Sequence, residues 1–119
     1  MYKTTLSIPI AIKIPSNQSD DTRHITLTKT IELPETPCAS LSLHDKEISE
    51  LEAKENFANI KVESYSYNIT DEKYDVKCKK LETTHHHMLA NLGKIRWEKF
   101  DEEGTPLDTE IKFLDHLGI

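Results

Sequence analysis

The side chains with the most chemistry to offer are three consecutive histidines, His85, His86 and His87, with Glu82 just ahead of them. On a helix, Glu82 and His86 stand at i and i+4, a spacing at which two side chains can share a metal ion. The three histidines fan out by about 100° per residue, so they cannot converge on one ion. A four-coordinate site needs two further ligands, and no paired histidine or cysteine spacing supplies them. The run therefore reads as surface imidazoles that gain positive charge near pH 6. No metal ligand and no cofactor is assigned.

Ser40, Ser42, His44 and Asp45 form a second cluster of nucleophile, base and acid types. A catalytic serine needs a sharp, glycine-flanked presentation and an oxyanion hole. The chain has only three glycines, Gly93, Gly104 and Gly118, and none lies near that segment. The cluster reads instead as a polar strand edge leading into a helix cap. The same shortage of glycine excludes phosphate-binding and dinucleotide-binding loops. Asp101, Glu102 and Glu103 could in principle supply a two-carboxylate hydrolase, yet a charge run of this kind is ordinarily a solvated turn. The chain is expected not to be an enzyme, and no catalytic residue is assigned.

Charge is the more informative property. With 15 basic and 21 acidic residues the formal net charge is −6, which disfavours binding to nucleic acid or to an anionic membrane. Between Asp45 and Glu55 there are five acids against two lysines, and between Glu98 and Asp115 seven acids against Lys99 and Lys112. Lys73, Lys77, Lys79 and Lys80 cluster elsewhere. If the acidic segments share a face, the molecule is dipolar and its negative side steers toward a basic partner. The residues expected to meet that partner are Glu47, Glu50, Glu52, Glu55, Asp101, Glu102 and Glu103.

At 119 residues the chain is expected to form one domain, 1–119, with a core that needs no staples. Cys38 and Cys78 make no disulfide framework, and the sequons at Asn17 and Asn68 matter only in a secreted protein. No apolar run approaches the ~20 residues that cross a bilayer. The apolar residues of the N-terminus alternate and do not form the continuous block of a secretory signal. A cytoplasmic location is expected.

The elements that must position these groups follow from periodicity. Tyr2, Leu6, Ile8, Ile10, Ile12 and Ile14 fall on one face of a strand, as do Ile25, Leu27, Ile31 and Leu33. Joined by the polar loop 15–22, they predict a β-hairpin over about 2–33. A second hairpin is expected over 60–80, with Tyr65, Tyr67 and Ile69 on one face and Lys73, Lys77 and Lys79 on the other. A short strand is expected within Cys38–Leu43 and another near 94–100. Helices are expected over 45–56 from an Asp45 cap, over 83–92 from a Thr83 or Thr84 cap, and over 106–117 with Pro106 at its first position. The last could alternatively run as a strand at Thr109–Phe113. The fold class is thus α+β, an antiparallel sheet with two or three short helices.

Tyr65, Tyr67 and the lysine row could stack and neutralise an RNA, but they belong to opposite sheet faces, so direct nucleic-acid binding is not expected. The chain resembles, as a type, the small acidic glycine-poor α+β proteins of mobile genetic elements and bacterial accessory genes. That resemblance implies a non-catalytic inhibitor or adaptor that occupies a protein surface, such as an anti-CRISPR-like inhibitor of a host nucleic-acid enzyme. The alternatives are a subunit that self-associates through its N-terminal hairpin and a small metal-dependent enzyme using Glu82 and His86. A straight arm of 13 residues would span about 43 Å, longer than a compact domain of this size is wide. With Pro9 in mid-strand, the hairpin is expected either to bend around the core or to project toward another chain.

Overall fold

Unbroken alternation makes the first strand the axis of the sheet. The computed structural model describes residues 1–14, 21–39, 41–49, 60–84 and 95–118. Strand β1 (Tyr2–Ile14) pairs antiparallel with β2 (Asp21–Leu33) along its whole length, from Tyr2 opposite Leu33 to Ile14 opposite Asp21. The remaining strands are β3 (Ser42–Leu43), β4 (Ile60–Asn68), β5 (Lys73–Cys78), β6 (Leu81–Thr84) and β7 (Glu98–Phe100). Two helical segments are described, α1 (Lys46–Ser49) and α2 (Glu110–Leu117). The sheet has seven strands in the order β3-β4-β5-β1-β2-β7, with β6 also on β1.

The expected all-antiparallel sheet is corrected to a mixed one. β4 and β5 form the expected antiparallel hairpin. β5, however, runs parallel to β1 over Thr4–Ser7, and β6 runs parallel to it over Ile10–Lys13. Hairpin signals fix orientation only within a hairpin; how one hairpin meets the next is set by tertiary packing. Pro9 falls in the seam between these two partners, opposite Thr26 on the β2 side. The residue that lacks an N–H thus sits where the parallel ladder is interrupted, which lets a proline occupy an interior strand. Paired on both edges, β1 does not project as a free arm; it lies within the sheet of a body measuring 47 × 30 × 24 Å.

Even-numbered residues of β1 form the core: Leu6, Ile8, Ile10 and Ile12 meet Ile25 and Leu27 of β2, Val76 and Cys78 of β5 and Leu81 of β6. Ile48 of α1, Trp97, Leu107, and Phe113 and Leu117 of α2 complete the cluster. Thr4, the one polar residue in the buried row, is fully enclosed, and its hydroxyl donates to the Tyr2 carbonyl at 3.0 Å. Leu41 and Leu43 pack against the core as expected of the third strand, of which β3 is the hydrogen-bonded part.

Two element boundaries differ from expectation. Thr83 and Thr84 lie in β6 and do not cap a helix; Thr83 is opposite Ile12 and buried. Their β-branched side chains suit the strand slot left open beside β1 where β5 ends. The rest of the helix expected over 83–92, most of that over 45–56 and most of the loop 15–22 lie outside the described residues. The C-terminal segment is a helix, but Thr109 caps it by accepting from the Lys112 N–H at 3.2 Å, and Gly118 closes it at φ 75°. Thr105 and Pro106 instead form a return against β7, with the Leu107 N–H donating to the Lys99 carbonyl at 2.7 Å.

Ile8 is fully enclosed. Replacing it by alanine should lower unfolding free energy by about 2–5 kcal/mol in urea titrations, and Ile8→Lys should abolish the cooperative transition.

Candidate functional site

Asp45 is the first of the sequence candidates to acquire a definite role. Its Oδ1 accepts the Ile48 N–H at 3.0 Å, capping α1, while its Oδ2 accepts the Trp97 indole N–H at 3.4 Å and stands 3.9 Å from the Lys29 ammonium. Lys29 also lies over the Trp97 ring, 5.8 Å from its centroid. Both carboxylate oxygens of Asp45 thus hold the fold together. Ser42 and His44 are exposed, and Ser40 lies outside the described residues.

Glu47 accepts the Arg96 backbone N–H at 3.0 Å and approaches the Arg96 guanidinium at 3.5 Å. This ties α1 to the segment leading into β7. Beside it, the Lys99 ammonium donates to the carbonyls of Ile95 at 3.1 Å and Trp97 at 3.3 Å. Burial pushes the Lys99 ammonium below its ordinary pKa, and the nearby Glu47 carboxylate partly offsets that. Lys99, Trp97, Phe100 and Leu107 line a groove of about 500 Å³. Glu47, one of the acids expected to meet a partner, has its carboxylate in two contacts with Arg96.

Of the other acids expected at the interface, Asp101 staples the turn after β7. Its Oδ1 accepts the N–H groups of Glu103 at 2.9 Å and Thr105 at 2.8 Å. Glu102 and Glu103 are exposed on that turn. Further along, Lys112 pairs with Asp108 at 2.9 Å, which holds the Asp108 carboxyl below its usual pKa. Of the two lysines of the Glu98–Asp115 segment, Lys99 is thus turned onto carbonyls just ahead of the segment and Lys112 is paired with Asp108 within it. Among the described residues, Glu98, Glu102, Glu103, Glu110 and Asp115 are exposed and have no cationic partner. Glu50, Glu52 and Glu55 lie outside the described residues, as do His85, His86 and His87. Among the described residues no three His, Cys, Asp or Glu side chains are grouped to hold a metal.

The feature that sequence reading missed is a tyrosine cluster on β4 and β5. A bulge between Val62 and Ser64 shifts the β4 register, so Val62 faces Cys78 while Tyr65 faces Val76 and Tyr67 faces Tyr74. Tyr67 and Tyr2 both meet the Tyr74 ring edge-to-face, at 5.0 and 6.1 Å. Yet Tyr2, Tyr65 and Tyr67 remain about half exposed, beyond the covered part of the core. The change of parity between Ile60-x-Val62 and Tyr65-x-Tyr67 was the available signal. On the opposite face, Lys73 donates to the Thr5 hydroxyl at 3.0 Å, and Ser7, Thr26, Ser64, Ser66 and Lys77 border an open hollow of about 530 Å³. No described helix is long and apolar enough to cross a membrane.

Compared with protein-family models, with curated proteins and with solved structures, the chain matches none.

Asp45→Ala should cost about 1–3 kcal/mol in denaturant unfolding, since it removes the α1 cap and leaves the Trp97 N–H without its acceptor. Trp97 fluorescence should report the loss. Burial raises the Cys78 thiol to about 11, whereas Cys38 is exposed. Iodoacetamide at pH 8 should therefore modify Cys38 in the native protein and reach Cys78 only after unfolding, as read by intact mass. Between pH 9 and 11 the unfolded chain releases the Cys78 proton before the folded one does, so this thiol makes stability fall as pH rises through that window.

Proposed function

We propose that this chain is a non-catalytic protein-binding module, an inhibitor or adaptor whose acidic C-terminal surface engages a basic surface on its partner. One observation carries the reading. The two lysines of the Glu98–Asp115 segment are both held internally, Lys99 by backbone carbonyls and Lys112 by Asp108. The segment's remaining acids therefore project an uncompensated negative field. Glu102 and Glu103 lead that surface because the Asp101 staple fixes the turn that carries them. A rigid turn presents charge without the ordering cost of a floppy one.

The partner class that fits is a protein with a basic groove, such as a host nucleic-acid enzyme whose substrate path an acidic module would block. In this reading the protein competes with polyanions for the groove.

Full-length protein immobilised on beads should capture such a partner from the cytosol of the native host, identified by mass spectrometry. The purified pair should weaken as salt rises, because the attraction is screened. Reversing two charges, as Glu102→Lys with Glu103→Lys, should weaken it by about tenfold or more and slow association. An affinity indifferent to both salt and the double reversal would overturn the electrostatic reading.

A further inference from the structure

Among the described residues, the outer edge of β4 is a strand edge poorly defended against another chain. β3 covers it only at Ile60 and Lys61, and among the described residues Val62–Asn68 pairs on the β5 side alone. Residues Glu63–Tyr67 are exposed one after another, so both faces of the strand are open as well as its edge. Native sheets guard such edges with charges, prolines or bulges. The outer edge of β2 beyond its β7 contact carries Lys29 and Glu32, followed by Pro34. From Ser64 through Asn68 and into the turn at Ile69, the chain carries no charge and no proline, and the β4 bulge lies at the near end.

We propose that this edge is the dimer interface, pairing with β4 of a second copy about a two-fold axis at Ser66. The composition of the edge selects that occupant. Two copies of net charge −6 repel least where local charge is absent, and Ser64–Ile69 is such a stretch. In the antiparallel register centred on Ser66, Tyr65 of each copy stands opposite Tyr67 of the other, and Ser64 opposite Asn68. Glu63 then meets Ile69, so no like charges face each other along the pairing. The cross-strand tyrosine pairs carry the Tyr2–Tyr74–Tyr67 edge-to-face series across the axis and cover the half-exposed rings. The arrangement is isologous and closes, so it ends at two copies. It stands independently of the acidic binding reading, and the two fail separately: one is read by mass, the other by capture of a basic partner.

Sedimentation of the full chain over a dilution series should give twice the chain mass at the upper end and dissociation on dilution. Tyr65→Lys with Tyr67→Lys places lysines opposite each other and should weaken the dimer by about tenfold or more, with unchanged circular dichroism. The same two positions changed to glutamate should also give monomers, and an equimolar mixture of the lysine and glutamate forms should restore a heterodimer. In a Cys38→Ser background, Ser66→Cys should oxidise to a covalent dimer whereas Ser64→Cys should not. A wild-type chain monomeric to its solubility limit, or a dimer untouched by the lysine pair, would overturn the proposal.

Discussion

Everything in this molecule is referred to one strand whose two edges and one face are all occupied. β1 gives its even-numbered face to the core, one edge to β2 and the other to β5 and then β6. Its apolar face would be untenable in water, and that requirement forces the rest of the chain to be brought to it. The cost of a proline in such a strand is avoided by placing it where the partner strand changes. Interior position and proline are reconciled by a seam.

The second constraint is polar. α1 has four described residues and brings one fully buried apolar side chain, Ile48, to the core. Apolar burial alone would hold so short an element weakly. Asp45 and Glu47 supply what is missing: one carboxylate ties the helix start to Trp97 and Lys29, the other grips the backbone ahead of β7. Two acids that a charge count assigns to the surface are in fact cross-links between distant parts of the chain. The outward field is left to the far side of β7, where the lysines turn inward.

Much of the fold was legible because period-two alternation survives translation into structure without change. The long hairpin, the β4–β5 hairpin and the terminal helix could all be read from spacing. Orientation between hairpins could not, because parallel and antiparallel docking bury the same residues. Thr83 and Thr84 misled for a related reason: a hydroxyl suggests a cap, while the branched Cβ beside it suits a strand. In β4 a single extra residue at Glu63 changes which face later side chains occupy, and that puts Tyr65 and Tyr67 on the same face as Ile60 and Val62. Among the expected site acids, Glu102 and Glu103 stayed surface charges, whereas Asp101 and Glu47 were recruited by backbone N–H groups that become unpartnered only once the chain has folded.

The seam at Pro9 also has a kinetic meaning. β1 meets β2 through a short connection, but its contacts with β5 and β6 join residues about seventy positions apart. Closing loops of that length comes with an entropic cost that local hairpins escape, so the parallel half of the sheet is the slow half to assemble. Until then, β1 presents one unsatisfied edge and a row of isoleucines. The order of assembly is thus written into the topology: hairpins first, with the two parallel ladders zipping independently on either side of the proline. A newly made chain is most prone to aggregate in the interval between those two events.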